Sequence, residues 1–407
     1  MVGAGPAGMM AAIRVGQLHQ DVILVEKNAH PGKKLLLSGK GRCNLTNACD
    51  LDSFIKRFSK NGQFLRNAFS KFFNLDLMRF FESRGLKLKI ERQLRVFPVS
   101  NRAGSILGVL KKELYRYKVE ILYKSALKDI FIQDGKVKGL LLADGRRILA
   151  DKIILATGGL SYSFTGSTAE AIFIAGDLGH RIVPFKPGLV PLETRQTYPR
   201  LLEGLALKNI RLKFSNNQRE IISDIGELLF TKFGISGPLV LSLSGKIAEW
   251  LNENKDVFVE IDLKPGLSRE QLNARLLREF KLNAKKNVKN TFINLLPQRL
   301  VDVFLDMAGI VADKKVSQIT QEERQKLVLL LKGLRLNITK SRPIEEAMIT
   351  RGGVSLKDIN PRTLESRLIK GLYFAGEMID VDADTGGFNL QAAFSTGYLA
   401  GESAALS

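Results

Sequence analysis

The run Gly3-Ala-Gly5-Pro-Ala-Gly8, followed through to Asp21-Val-Ile-Leu-Val-Glu26, decides the fold. In G-x-G-x-x-G spacing the first glycine makes a tight turn, the second lets a pyrophosphate reach the backbone, and the third allows close helix packing. Ala7 to about Leu18 reads as the helix, and residues 21–26, apolar throughout their centre, as a strand buried on both faces. Glu26 ends that strand, where a carboxylate can accept hydrogen bonds from an adenosine ribose, and Lys27 follows it. The set Gly3, Gly5, Ala7, Gly8, Glu26 and Lys27 therefore reads as one end of a dinucleotide site. One part is short: only Met1 and Val2 precede Gly3, where about five apolar residues are expected for a central strand. The start reads as truncated or misassigned.

Working outward, residues 51–90 read as helical, with phenylalanines interleaved among lysines and arginines. Phe54/Phe58 and Phe69/Phe72/Phe73 have the spacing of one apolar helix face, which favours a core role over a nucleic-acid platform. Strands return at Val119–Tyr123, Lys136–Leu142 and Arg147–Leu149, with Asp144-Gly145 as a hairpin turn. A buried strand then stops at Thr157-Gly158-Gly159, glycines that suit close approach of the backbone to another group.

Residues 186–263 alternate in short segments and read as β-rich; residues 268–333 read as helical, opened by capping boxes at Ser268/Gln271 and Thr320/Glu323. The basic run Lys281–Lys289 reads as a solvated surface. Near the far end, a strand stops at Gly376-Glu377, a polar loop follows, and a helix starts near Gly387-Phe388-Asn389-Leu390. Its free N–H groups would face an anion, such as the pyrimidine side of a reduced flavin. Asp380, Asp382 and Asp384 lack the glycine and terminal glutamate of a calcium loop. The stretch Lys33–Asn47 is dense in glycine, hydroxyl, amide and cationic groups and offers N–H groups and positive charge to a phosphate or ring.

Composition bounds the rest. A chain of 407 residues exceeds one ordinary core, so at least two domains are expected. Cys43 and Cys49 have the wrong spacing for a redox pair or zinc knuckle, and His19, His30 and His180 form no metal pattern, so no metal is expected. No apolar run is long enough to span a bilayer, and a glycine motif stands where a signal peptide would, which suggests a cytoplasmic protein. The formal charge of +21 suits an anionic partner, but a solvated lysine-rich surface explains it as well and is the preferred reading, without nucleic acid.

The glycine motif, Ser38-Gly-Lys-Gly-Arg-Cys-Asn-Leu-Thr-Asn47, Phe230-Thr-Lys-Phe-Gly-Ile-Ser-Gly-Pro238, Thr350-Arg-Gly-Gly-Val354 and Gly387-Phe-Asn-Leu-Gln391 together resemble a bacterial flavoprotein family. It is the NAD(FAD)-utilising dehydrogenase or aminoacetone-oxidase-like family, some of whose members are assigned as dehydro-bile-acid reductases. The resemblance implies an α/β, Rossmann-like FAD-binding domain of the two-dinucleotide-binding-domain type with a β-rich plus helical insert. The expected boundaries are 1–185 with 341–407 for the FAD domain, 186–263 for the β-rich insert and 264–340 for the helical insert. It also implies Ser38, Gly39, Arg42, Cys43 and Asn44 near the flavin, and Thr157, Gly158 and Gly159 by the adenosine half. Lys232 stands where the family pattern has histidine, a difference that concerns the substrate pocket.

The expected activity is hydride transfer through flavin N5 to or from a small organic substrate, with NAD(P)H as transient donor. Two alternatives stay open: an amine oxidase using oxygen, and a flavin-dependent nucleic-acid-associated or redox-sensing protein. Arg342 and Arg351 are candidates for holding an anionic substrate group, or for structural ion pairs. A proton donor is not legible; Tyr162, Tyr373 and water stand equal.

Overall fold

The computed structural model describes residues 1–407 apart from 19–20 and 254–255, so His19 lies outside the described residues. The chain divides into two compact units, Met1–Gly188 with Ile344–Ser407, and Leu189–Pro343.

The first unit is built on a parallel sheet. Ile23–Val25 pairs with Glu120–Leu122 on one side, and Ile153–Leu155 pairs with Leu372–Phe374 on the other. Val2 fills the gap between these pairs, bridging in parallel to both Val25 and Leu155. Its N–H donates to the Ile154 carbonyl at 2.9 Å and its own carbonyl accepts from Ala156 N–H at 2.9 Å. The short start therefore does not leave the sheet open. The neighbouring strands, Ile23–Val25 and Ile153–Leu155, are three residues long.

The first helix, Pro6–Gln17, and the last, Phe388–Leu406, pack together on this sheet. Small residues make the contact possible. A Cβ on Gly397 would stand 2.2 Å from the Ala7 carbonyl oxygen, and one on Gly401 would stand 2.6 Å from that of Ala11. Ala7 meets Gly397 and Ala11 meets Gly401, so the two helices run parallel.

The phenylalanine-rich segment is less regular than its periodicity suggests. It forms helices at Leu51–Ile55, Arg66–Lys71 and Asn74–Glu82, and then a strand, Leu88–Ile90, that pairs with Arg95–Pro98. Gly85, at φ +81°, follows the last helix and lets the chain turn into the strand. Phe54, Phe69 and Phe81 are buried, and Phe54 packs edge-on against Phe69, Phe73 and Phe388. These rings belong to the core and form no stacking platform. A three-stranded antiparallel meander, Leu127–Gln133, Lys136–Leu142 and Arg147–Leu149, completes the unit.

The second unit is a closed antiparallel barrel. Its strands run in the order Ala206–Ser215, Gly226–Thr231, Gly234–Ser236, Leu192–Thr194, Leu334–Ser341 and Val257–Asp262, and the last pairs back to the first. Glu220–Ile222 is added at the edge of Ala206–Ser215. The strand that closes the ring, Leu334–Ser341, follows the helices Arg269–Leu282, Gln298–Ala308 and Gln321–Lys332. Residues 186–263 and 264–340, expected as separate β-rich and helical inserts, accordingly share one core, in which Leu276, Phe304 and Leu331 join Phe214, Val259 and Leu336. Both capping boxes are formed: Ser268 Oγ accepts from Gln271 N–H at 3.2 Å and Thr320 Oγ1 from Glu323 N–H at 3.1 Å.

Candidate cofactor site

The glycine turn is shaped by its neighbours. Gly3 sits at φ +98°, and a Cβ there would stand 2.6 Å from the Ala156 carbonyl oxygen; on Gly8 it would stand 1.9 Å from that of Gly3. Gly5 differs: nothing lies within 4 Å of the position its Cβ would take. That space opens beside the start of the first helix, which no side chain caps. Unsatisfied N–H groups around an open glycine make a cradle for a pyrophosphate.

Glu26 is buried and holds this turn. Its Oε2 accepts from Ala4 N–H at 2.9 Å, and its Oε1 accepts from the backbone N–H and side-chain amide of Asn28 at 2.8 and 2.7 Å. Three of roughly four acceptor positions are occupied. The carboxylate fixes the loop and keeps about one acceptor position unfilled. Lys27 turns elsewhere, donating to Thr168 Oγ1 at 2.5 Å and pairing with Glu170 at 3.1 Å.

The other segments converge on the same end of the sheet. Gly39, Lys40, Gly41 and Cys43 all take left-handed backbone conformations, which coil the Ser38–Asn44 loop tightly. Asn44 Oδ1 and Thr157 Oγ1 are buried with no hydrogen-bond partner among the described residues. Buried acceptors of this kind are rare in a finished interior, and both lie in segments expected to meet FAD. Gly158 takes φ +80°, and a Cβ on Gly159 would stand 2.4 Å from Thr350 Oγ1. A Cβ on Gly387 would stand 2.4 Å from the Thr46 carbonyl oxygen, so glycine is what lets the last helix begin against the 38–47 segment.

That helix, too, has no side-chain cap. Given the pairing of Ala7 with Gly397, it begins about eight residues further back than the first helix, roughly 12 Å along a common direction. Two bare helix N-termini, parallel and offset by that distance, suit an elongated cofactor with a pyrophosphate at one end and, at the other, a ring that gains negative charge on reduction.

Several expected residues have other duties. Cys43 lies wholly in the core with Met9, Met10 and Leu35, and burial pushes its thiol up to about 12, so only its backbone can line a site. Arg42 pairs with Glu91, binds Asn101 and lies over the Phe97 ring. Phe388 packs in the core, and Asn389 clamps the preceding loop through both the N–H and the carbonyl of Ala383. Ser38 Oγ donates to the Leu35 carbonyl at 2.6 Å, and Gly376 N–H donates to Thr396 Oγ1 at 2.9 Å. Leu390 packs against the core that holds Cys43.

Each of the two arginine candidates has an acidic partner within its own unit. Arg342 belongs to the second unit, where it pairs with Glu193 at 2.6 Å and lies over Phe233. Arg351 belongs to the first and pairs with Asp382 at 3.4 Å, both side chains largely buried. Beside that pair, burial and the charge of Asp382 push the Asp380 carboxyl up, while Asn61 donates to it at 3.1 Å. Tyr373 is buried with its hydroxyl against Ser407 Oγ at 3.0 Å; burial raises both Tyr373 and Tyr162, the latter only partly covered.

A polar network that the sequence does not announce ties these segments. Lys34 Nζ donates to Glu377 Oε2 at 2.5 Å and to Ser161 Oγ at 2.7 Å. Ser161 Oγ and Thr350 N–H both donate to Glu377 Oε1, at 3.0 and 2.8 Å. Ser161 and Thr350 are fully covered; Ser161 stands in no motif, and the Thr350-Arg-Gly-Gly-Val354 run does not announce this contact. Among the described residues no group of three or more histidine, cysteine, aspartate or glutamate side chains is gathered for a metal, and no helix is long and apolar enough to cross a membrane.

Comparison with known proteins agrees with this geometry. The HI0933-like protein Rossmann domain matches residues 1–403. The chain is 32% identical over 409 aligned positions to a 3-dehydro-bile acid delta(4,6)-reductase of Clostridium scindens, covering 100% of this chain and 98% of that one. It is 31% identical to a ribosomal RNA dihydrouridine synthase of Haemophilus influenzae, covering 98% and 96%. Among solved structures, 3-ketosteroid delta1-dehydrogenase from Sterolibacterium denitrificans superposes with a TM-score of 0.53 at 12% identity, covering 100% of this chain and 98% of that one, a likeness of fold. With a Rossmann sheet, an open glycine cradle and two bare helix ends, the chain belongs to the HI0933-like Rossmann-domain family and is an FAD-dependent oxidoreductase.

Proposed function

We propose that the protein reduces a carbon–carbon double bond conjugated to a carbonyl, and that the substrate is a uridine base in RNA. The names of the two relatives share this chemistry, since a delta(4,6)-reductase and a dihydrouridine synthase each add two hydrogens across a double bond. What favours RNA over a small anion is the ribosomal RNA dihydrouridine synthase at 31% identity taken together with the formal charge of +21, which the sequence alone leaves to a solvated surface. An RNA substrate fits the cytoplasmic location expected from the sequence.

FAD, when bound, supplies the hydride from N5, with NAD(P)H as the source that is oxidised. The hydride goes to C6 of uracil and a proton to C5, so NAD(P)H and one proton are consumed for each dihydrouridine formed. The protein's own part is to hold the cofactor and aim it. The Gly5 cradle and first helix would hold the pyrophosphate, Glu26 would meet the ribose, and the last helix would stabilise negative charge on the ring. Lys34 and Ser161 keep Glu377 in one orientation at the junction.

The test is to incubate the FAD-loaded protein anaerobically with NADH or NADPH and unmodified ribosomal RNA, then digest the RNA and weigh its nucleosides. A uridine gaining two hydrogens, with bleaching of the flavin by one nucleotide, is the expected result. Bleaching without RNA modification, alongside rapid reduction of a dehydro-bile acid, would favour the small-molecule reading that the Clostridium scindens relative supports. An amine oxidase would show no bleaching by either nucleotide.

A further inference from the structure

We infer that the basic cavity where the meander of the first unit meets residues 369–371 is a docking point for the phosphate backbone of the RNA substrate. This rests on the RNA reading above and names the surface through which it acts. Lys136, Lys138, Lys152 and Lys370 line a cavity of about 160 Å³, with Asp151 as its one lining carboxylate.

The backbone gathers these cations from three separate stretches. Val137 N–H donates to the Lys370 carbonyl at 3.0 Å, Ala150 N–H to the Lys138 carbonyl at 3.2 Å, and Ile153 N–H to the Gly371 carbonyl at 2.8 Å. Lys136, Lys138 and Lys370 are exposed and make no side-chain hydrogen bond or ion pair among the described residues, while Lys152 donates to Ser407 Oγ at 2.7 Å. Four ammonium groups around one carboxylate repel one another, and a bound polyanion relieves that repulsion. The basic run at Lys281–Lys289 is a weaker candidate, because Lys289 is already paired with Asp302 at 2.7 Å.

The adjoining strands add a second kind of contact. Gly139, next to Lys138, pairs with Phe131 on one side and Leu149 on the other. Leu149 is 84% exposed, and the Arg147 guanidinium lies 5.2 Å from the Phe131 ring centroid. Cations for phosphates beside an aromatic ring and a guanidinium plane for bases are the parts with which single-stranded RNA is held.

The experiment is filter binding of unmodified ribosomal RNA to the FAD-loaded protein across a potassium chloride series. It compares wild type, K136E/K138E/K370E and a control, K281E/K285E/K286E. The cavity variant is expected to bind at least about tenfold more weakly, with a salt slope smaller by about 2, as three lost single-strand phosphate contacts require. The control should stay within about twofold of wild type, on the same scale. FAD content and thermal midpoint verify folding; if the glutamate variant fails to fold, K136Q/K138Q/K370Q replaces it with a slope change in the same direction. A cavity variant that binds like wild type overturns the docking inference and leaves the RNA reading intact. Wild type that binds no RNA at physiological salt overturns both. Loss of binding to phosphatidylglycerol vesicles with RNA binding retained would assign the face to a lipid surface and overturn the inference.

Discussion

Cys43 shows how one residue's surroundings set its chemistry. A cysteine in a glycine-rich loop beside a redox cofactor invites a redox role, yet its thiol is buried in the core and its pKa is raised to about 12. Thiolate is the reactive form, so a thiol reagent at neutral pH should label Cys49 and leave Cys43 untouched until the protein unfolds. Peptide mapping after brief alkylation checks this, and labelling of Cys43 in the native state would remove it from the core. Glu26 carries a second prediction. Glu26→Ala should weaken FAD binding about ten- to hundredfold and also lower the thermal midpoint, since Ala4 and Asn28 lose a charged acceptor. An unchanged FAD affinity would take Glu26 off the site. His180 sets an acid limit. It is buried with Nδ1 near the Ala175 carbonyl and Nε2 near Ser366 Oγ, and burial lowers its pKa from the ordinary 6.5. As pH falls through 6.5 the unfolded chain takes up this proton first, so stability is lost progressively below that value. Thermal midpoints between about pH 5 and 7 should fall in wild type and flatten in His180→Asn.

At the scale of elements, the contact between the first and last helices governs the cofactor site, because it sets the offset of their bare ends. Gly401→Ala would press a methyl group against the Ala11 carbonyl and should cost about 1–3 kcal/mol while loosening FAD. Gly108→Ala, in the helix Ala103–Arg116 with nothing within 4 Å, should instead stabilise by about 0.5–1 kcal/mol. Opposite signs for the same chemical change separate packing from propensity; urea denaturation of the two variants measures it, and equal signs would refute the helix contact described. This level also marks what could be read in advance. The glycine turn, the first helix and the strand that ends at Glu26 were legible because G-x-G-x-x-G spacing restricts residue types within one short stretch. The capping boxes were legible because their partners lie three residues apart. The Lys34–Ser161–Thr350–Glu377 network was not, since serine and threonine are common and only the folded chain brings these four together. The barrel was not either: the strand that closes it, Leu334–Ser341, follows about seventy residues dominated by helix, and local periodicity does not carry pairing over that distance.

At the scale of the whole molecule, the charge of +21 changes meaning once the fold is known. The basic residues among the phenylalanines of residues 51–90 accompany a buried aromatic core, so that segment is no nucleic-acid platform, while the lysines around Gly371 come together only in three dimensions. Arg342 and Arg351 each have an acidic partner, Glu193 and Asp382, so each charge is met within its own unit.

The central claim is that the space beside Gly5 belongs to the cofactor, and Gly5→Val tests it most directly. The backbone there, at φ −81° and ψ −177°, accepts a branched residue, and no protein atom lies where the added Cβ would go. Titrating FAD into apoprotein by flavin fluorescence should give one tightly bound FAD per wild-type chain. Gly5→Val should bind it at least about a hundredfold more weakly, with the apoprotein midpoint unchanged to within about 2 °C. A Gly5→Val protein that binds FAD as tightly as wild type would contradict the account.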